Sequence, residues 1–221
     1  MTTEESIRSR KTLKLRANPD NPLPVTKGKD FKKTIEELIE LAGKAPFHYE
    51  SAKGQRSYKL IGNEPWRFHV LDGESCRIFL KALKQEKPMK APEGIKQMLA
   101  ASDALILATW LPERSRKLSR KFHPNLKNME HIAATGAAIQ NLILAATSRG
   151  VNAYWSSGGI IRKPKVLEFL GIPNHEILLG AVFLFPDEFP ESVDTQSGMN
   201  ADKRGEAGDF MDWIEVGENI Q

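Results

Sequence analysis

The stretch from Leu126 to Gly159 constrains this chain more than any other. Its first part, about 24 residues to Arg149, spans ~36 Å as a helix. Charges and amides cluster before His131 and at Gln140 and Asn141. Between them the segment is apolar on nearly every face, and a helix apolar all round is buried. Gly136 and the many alanines carry little bulk, so another backbone can approach closely. Gly150 suits the left-handed position after the helix, with Arg149 beside its negative end. A short strand, Val151 to Trp155, then runs into Ser156, Ser157, Gly158 and Gly159. A strand end so small and polar suits a flat ligand that needs backbone hydrogen bonds.

The remaining elements read as cover for such a centre. Asp30 is placed to cap a helix from Phe31 to Gly43, whose Phe31, Ile35, Leu38, Ile39 and Ala42 share one face. Pro65 to Val70 alternates as a strand. Glu74 to Gln85 and Pro92 to Ala101 read as amphipathic helices. The apolar runs Asp103 to Leu111 and Glu176 to Phe185 predict strands buried on both faces. Pro164 opens a short helix through Leu170. Thr2 to Thr12 is polar and helix-forming, and Asn18 to Pro24 is too proline-rich for regular structure. Pro112 to Pro124 is a basic connector holding Arg114, Arg116, Lys117, Arg120 and Lys121, expected as a solvated loop. Residues 186–221 scatter Phe189, Val193, Phe210, Met211, Trp213, Ile214 and Val216 among acids and glycines. That tail needs another surface to lie on. Helices around a small sheet, with this extension, define one α+β or α/β sandwich over residues 1–221.

Composition narrows the chemistry. The 221 residues are 40% hydrophobic and 27% charged, as in globular proteins. No uninterrupted apolar run reaches membrane-spanning length, and the N-terminus has no apolar signal core, so a cytoplasmic protein without a membrane partner is expected. The net charge of +4 suits an anionic ligand as well as a nucleic acid. The single Cys76, within an apolar-periodic helix, is expected to be buried and inert. It excludes an internal disulfide and a cysteine-cluster metal site, and the histidines show no ligand spacing, so no metal is expected. There is no G-x-S-x-G, no phosphate-loop motif and no G-x-G-x-x-G. No catalytic residue can be named, and any enzymatic chemistry is expected from a bound cofactor.

The binding candidates lie in separate places. Arg10, Lys11, Thr12 and Lys14 put cations and a hydroxyl within reach of one phosphate, Thr12 joining them only if the segment is extended. Ala45-Pro46-Phe47-His48 ends the first long helix, and Asn63-Glu64-Pro65-Trp66 precedes the first strand. Trp155-Ser156-Ser157-Gly158 ends the central strand, and Lys203-Arg204 is a late basic pair.

Taken together and in this order, these stretches resemble the FMN-dependent nitroreductase family from Arg10 to about Arg204. In that family a basic R-[RH]-S-x-[RK] segment grips the FMN phosphate, matched here by Arg10-Lys11-Thr12-Leu13-Lys14. An A-P-S-x-x-N-x-Q-P-W-x-F stretch follows, split here by an insertion into Ala45-Pro46 and Pro65-Trp66-Arg67-Phe68. Phe47 replaces the usual Ser, Glu64 the Gln, and Gly62 the Asn, for which Asn63 substitutes through a loop shift. The family's G-[LV]-x-A strand is Gly150-Val151-Asn152-Ala153, and its end offers a backbone N–H to the flavin. Lys203 and Arg204 match its C-terminal basic pair.

The resemblance implies a three-layer sandwich around a small mixed sheet, with a C-terminal arm exchanged in a homodimer. It implies FMN held by Arg10, Lys11, Thr12, Lys14, Trp155, Ser156, Ser157, Gly158, Lys203 and Arg204. Phe47, His48 and Asn63 complete the set, Phe47 and His48 facing the partner's flavin. It implies ping-pong hydride transfer from NAD(P)H to a nitroaromatic, quinone or similar small acceptor. Reductive dehalogenation or flavin fragmentation on the same fold remains an alternative. A basic nucleic-acid-binding module ranks last, since the basic runs lack interleaved aromatics that stack bases.

Overall fold

The computed structural model describes residues 1–25, 29–57, 59–85, 91–113, 123–198, 200 and 203–215. At its centre β2 (Trp66–Asp72), β3 (Ala104–Trp110), β4 (Asn152–Ser156) and β5 (Ile177–Phe185) form one sheet in the order β2-β3-β5-β4. The expected mixed sheet is corrected in one respect: every pair in it is antiparallel. Connectivity explains this. Two helices, α3 (Gly73–Gln85) and α4 (Glu93–Ala101), join β2 to β3 and reverse the chain. One helix, α5 (Leu126–Ser148), joins β3 to β4, so those two strands point the same way. β5 runs oppositely and lies between them, which keeps the two parallel strands from pairing.

The continuous apolar runs serve two cores by strict alternation. Leu105 and Leu107 of β3, with Phe183 and Phe185 of β5, face α3, α4 and α6 (Pro164–Phe169). Ile106 and Ala108, with Val182 and Leu184, face α2 (Lys29–Ala42) and α5. Each fully buried Leu or Phe contributes ~1.5–3 kcal/mol of transfer free energy. The result is the expected α+β three-layer sandwich. The basic connector expected at 112–124 falls largely at 114–122, outside the described residues, as does Val216 in the tail. Among the described residues no helix is long and apolar enough to cross a membrane.

α5 starts where Asn125 caps it, its side chain accepting the Asn128 N–H at 2.8 Å. It ends at Gly150 (φ 71°), where Val151 N bonds Ala146 O and Gly150 N bonds Thr147 O. This paired closure is the one expected of a left-handed residue after a helix. The expectation of burial on all faces does not hold within one chain. Ala138, Ile139, Leu142 and Ala146 are fully covered, but Met129 is 53% exposed and Ala133 lies open. Among the described residues the apolar cover of the helix comes from the sheet, from α2 and from Ala45 and Phe47, which leaves Met129 and Ala133 uncovered.

Two strands were not legible in the sequence. β1 (Leu13–Arg16) follows α1 (Thr3–Ser9), and β6 (Asp194–Ser197) pairs with it antiparallel. Leu15 buries into the α4-side core, and Val193 and Phe189 join it there. The segment after 186 is therefore part of the body as far as Gly198. Beyond, Phe210, Met211, Trp213 and Ile214 are all exposed, Trp213 and Ile214 by more than 80%.

Candidate functional site

The β1–β6 ribbon brings the two ends of the chain together. β1 is extended, so Thr12 and Lys14 project to the same side. Gly198 N bonds Thr12 O at 3.0 Å, which continues the ribbon and lays the residues after it beside Thr12. A cavity of ≈ 560 Å³ results, lined by Thr12 and Lys14 from one end and Asn200, Lys203 and Arg204 from the other. Tyr154 and Trp155 of β4 form its aromatic wall. A second cavity of ≈ 220 Å³ shares Thr12 and Trp155. Its cations are Arg10 and Lys11, and Gln140, Ile143 and Thr147 close it from one face of α5.

Among the described residues no acidic side chain lines either cavity. Among the described residues Arg10, Lys11, Lys14, Lys203 and Arg204 form no ion pair. Arg10 donates to the Thr12 hydroxyl at 3.1 Å. Lys14 Nζ reaches Gln196 Oε1 at 3.4 Å and stands 5.2 Å over the Tyr154 ring. Arg16, in contrast, is turned to Gln196 and to Asp194 at 3.7 Å. Five cations without carboxylate partners among the described residues, around two hollows that share Thr12 and Trp155, suit a phosphate-bearing molecule with a flat part.

The strand end lies past Trp155, and Ser156, Ser157 and Gly158 line neither cavity. Ser156 is buried, and its hydroxyl oxygen accepts the Gly158 N–H at 3.1 Å. Gly158 has φ 93°, and a Cβ there would come 2.7 Å from Leu178 Cδ2, so no side chain fits. Arg162 clasps this turn. It donates to Ser157 O at 2.5 Å, Leu178 O at 2.7 Å and Leu179 O at 2.8 Å. Those β5 carbonyls lie beyond the end of β4, whose last pair is Ser156 with Ala181.

Phe47, His48 and Asn63 lie elsewhere in the same chain. Phe47 packs edge-on against Trp66, with centroids 5.5 Å apart. His48 Nδ1 meets Glu130 Oε2 at 3.0 Å, and the histidine is otherwise exposed. Asn63 Oδ1 accepts from Arg56, which also grips Ser51 O and meets Glu50 at 3.3 Å, so Arg56 ties the two ends of the insertion together. Ten residues of α5 separate Glu130 from Gln140, ~15 Å along the axis. One chain therefore does not bring Phe47 and His48 to the cationic cavities.

Sequence reasoning missed Gln140, Thr147 and Arg162 as neighbours of these features. Gln140 is an amide amid apolar residues, and Ile143 and Thr147 share its face, which was the available signal. Arg162 gave none, because its partners are backbone carbonyls. A second polar group sits at the start of β5. Glu176, 2% exposed, meets His69 Nε2 at 2.7 Å and accepts from the Thr109 hydroxyl. Burial pushes its carboxyl up. The His69 and Thr109 hydrogen bonds, with the charges of His69 and His175, outweigh burial and hold it below the usual carboxylate range. Cys76 is fully buried as expected, and burial pushes its thiol up to about 12.

Comparison with known proteins assigns this architecture to a family. The chain belongs to the nitroreductase family, whose model matches residues 31–184. A Bacillus subtilis (strain 168) protein named "Putative NAD(P)H nitroreductase YfhC" is 25% identical over 194 residues, covering 84% of each chain. Among solved structures, a nitroreductase-like family protein from Bacillus cereus superposes with a TM-score of 0.63 at 21% identity, over 98% of this chain and 97% of that one. The FMN and NADPH-dependent nitroreductase NfnB from sphigopyxis sp. strain HMH gives 0.58 at 13% identity, over 98% and 100%. At these identities the structural likeness speaks for the fold.

Proposed function

We propose that this chain is an FMN-dependent oxidoreductase that takes hydride from NAD(P)H and reduces a nitroaromatic, quinone or similar small acceptor. One observation carries the reading. Two basic segments from opposite ends of the chain meet at one cavity whose wall is Tyr154 and Trp155 and whose described lining holds no acid. A phosphate dianion fits such a place, because each cation there lacks a carboxylate partner among the described residues. Thr12 adds a hydroxyl and Gly198 a close backbone. The name of NfnB, with FMN and NADPH in it, supports the same cofactor pair here.

In this reading Lys14, Lys203 and Arg204, with Arg10 and Lys11 across Thr12, neutralise the phosphate. Gln140 offers an amide from α5, and Trp155 excludes water from one side of the flat ring. FMN, when bound, supplies the acceptance and donation of hydride. Arg162 fixes the Ser157 peptide, so the turn after β4 keeps its shape through turnover. The Gly158 N–H is held by Ser156, so in this reading the backbone donor offered to the ring at the strand end would be that of Ser157, at the edge of the two cavities rather than in their lining.

The quaternary part of the reading is a homodimer. Met129 and Ala133 of α5 and the arm residues Phe210, Met211, Trp213 and Ile214 form apolar surface that one chain leaves open. A second copy covers both, and Phe47 and His48 of one protomer then complete the site of the other. The test is direct. Purified protein incubated with FMN should turn yellow and retain flavin through a desalting column. NAD(P)H should then bleach it without oxygen, and a nitroaromatic or quinone should restore the colour. A protein that stays colourless under saturating FMN overturns the reading, and a monomer by light scattering overturns its quaternary part.

A further inference from the structure

Gly180 sits within β5, paired with Ala108 of β3 on one side and one residue past the last β4 pair, Ser156 with Ala181, on the other. A glycine there weakens a buried strand and usually marks a close approach. The approach is visible: a Cβ built on Gly180 would overlap the Trp155 indole, 2.8 Å from Cδ1 and 3.0 Å from Cε2. Trp155 pairs across the sheet with Val182, so its indole leans along β4 to lie against the bare β5 backbone. It is still 37% exposed, and that exposed part walls both cationic cavities.

We infer that Gly180 is a positioning residue, and that the Trp155 indole it seats is the aromatic surface against which the flavin ring is held. This rests on the FMN reading above and adds residues to it. An aromatic side chain between two phosphate-seeking hollows is well placed only if it lies flat on the sheet. Any side chain at Gly180 lifts it and narrows both hollows. A wholly structural glycine predicts something else: it would act on stability, whatever occupies position 155.

The test is a double-mutant cycle on FMN binding, read by quenching of flavin fluorescence and by tryptophan emission. Trp155→Phe locates the Trp155 contribution to that emission. Gly180→Ala should weaken FMN binding about tenfold, the scale of an aromatic contact. It should also shift the Trp155 emission to the red without any flavin present. In the Trp155→Ala background, Gly180→Ala should change FMN affinity less than twofold, since no indole remains to displace. Circular dichroism checks folding, and the double variant, in which the overlap is gone, serves even where Gly180→Ala alone folds poorly. Equal effects of Gly180→Ala in both backgrounds, or an unmoved Trp155 emission, overturn the inference while leaving the FMN reading intact. Absence of FMN binding by the unaltered protein removes the FMN reading itself, and the flavin part of this inference with it.

Discussion

Two polar regions flank the same sheet and are built on opposite rules. Around Glu176 the charges are turned inward and satisfied: His69 and Thr109 bond the carboxylate, and Arg67 spends its guanidinium on Gly62 O, Glu64 O and Trp66 O. Around Trp155 the charges stay open, with Arg10, Lys11, Lys14, Lys203 and Arg204 meeting no carboxylate among the described residues. A buried carboxylate left without partners costs several kcal/mol, so the first region is held together as structure. Solvated cations gathered without counter-charge repel one another modestly, and an anion relieves that repulsion. The difference separates a polar cluster that supports the fold from one that serves a ligand.

The contrast is broken most forcefully at Glu176. Glu176→Ala should cost ~3–5 kcal/mol of stability in a urea melt, because it strands the half-buried His69 and the buried Thr109. FMN affinity should hold once the protein is folded. The same carboxyl sets an acid limit. Its folded pKa lies below the unfolded value, so its stabilisation is present above the unfolded value of about 4.3 and is lost as pH falls through the folded one. Melting midpoints measured from pH 6 down to pH 3 should show that loss, and Glu176→Gln should flatten it.

Next comes the cation rim, with the reverse signature. Arg204→Ala or Lys14→Ala should weaken FMN about 10–100-fold, the range of one charge-assisted hydrogen bond, with little change in melting temperature. Raising salt should weaken the unaltered protein's FMN binding more than that of either variant. An effect of similar size, on stability instead of binding, is expected at the turn between the two regions. Gly158→Ala should cost ~1–3 kcal/mol in a denaturant melt, through strain at φ 93° and contact with Leu178. Smaller again, Asn125→Ala should cost ~1 kcal/mol by uncapping α5. At the end of the scale, native Cys76 should show no labelling by a thiol reagent at pH 8, and full labelling in denaturant. Its thiol is pushed up to about 12 and lies in the core.

Much of the fold was legible because its signals are local. The two runs Asp103 to Leu111 and Glu176 to Phe185 became β3 and β5, within a residue or two at each end. Phe31, Ile35 and Leu38 face the core from α2, as their spacing required. The β1–β6 ribbon was not legible. Each strand has four residues, and Asp194–Ser197 carries no apolar alternation. Its pairing is a tertiary matter, with Leu13 opposite Ser197 and Arg16 opposite Asp194. For the same reason no local pattern in the tail separates β6 from the exposed segment after Gly198. The site candidates at Arg10 to Lys14 and at Lys203 and Arg204 were visible as charge. Gln140, Arg162 and Gly180 gain meaning only from what lies across from them.

By itself the sequence determined the helices from α2 onward and the four strands of the central sheet, which of their faces are apolar, and that basic residues lie near both ends of the chain. Periodicity and composition act over a few residues, and each residue carries that information alone. Only the tertiary structure decided that partners 180 residues apart, such as Arg16 and Gln196, would meet. It also decided that the indole of Trp155 would find a bare backbone at Gly180. Such meetings depend on strand pairing and packing between distant segments, and no local pattern encodes which distant segment will arrive.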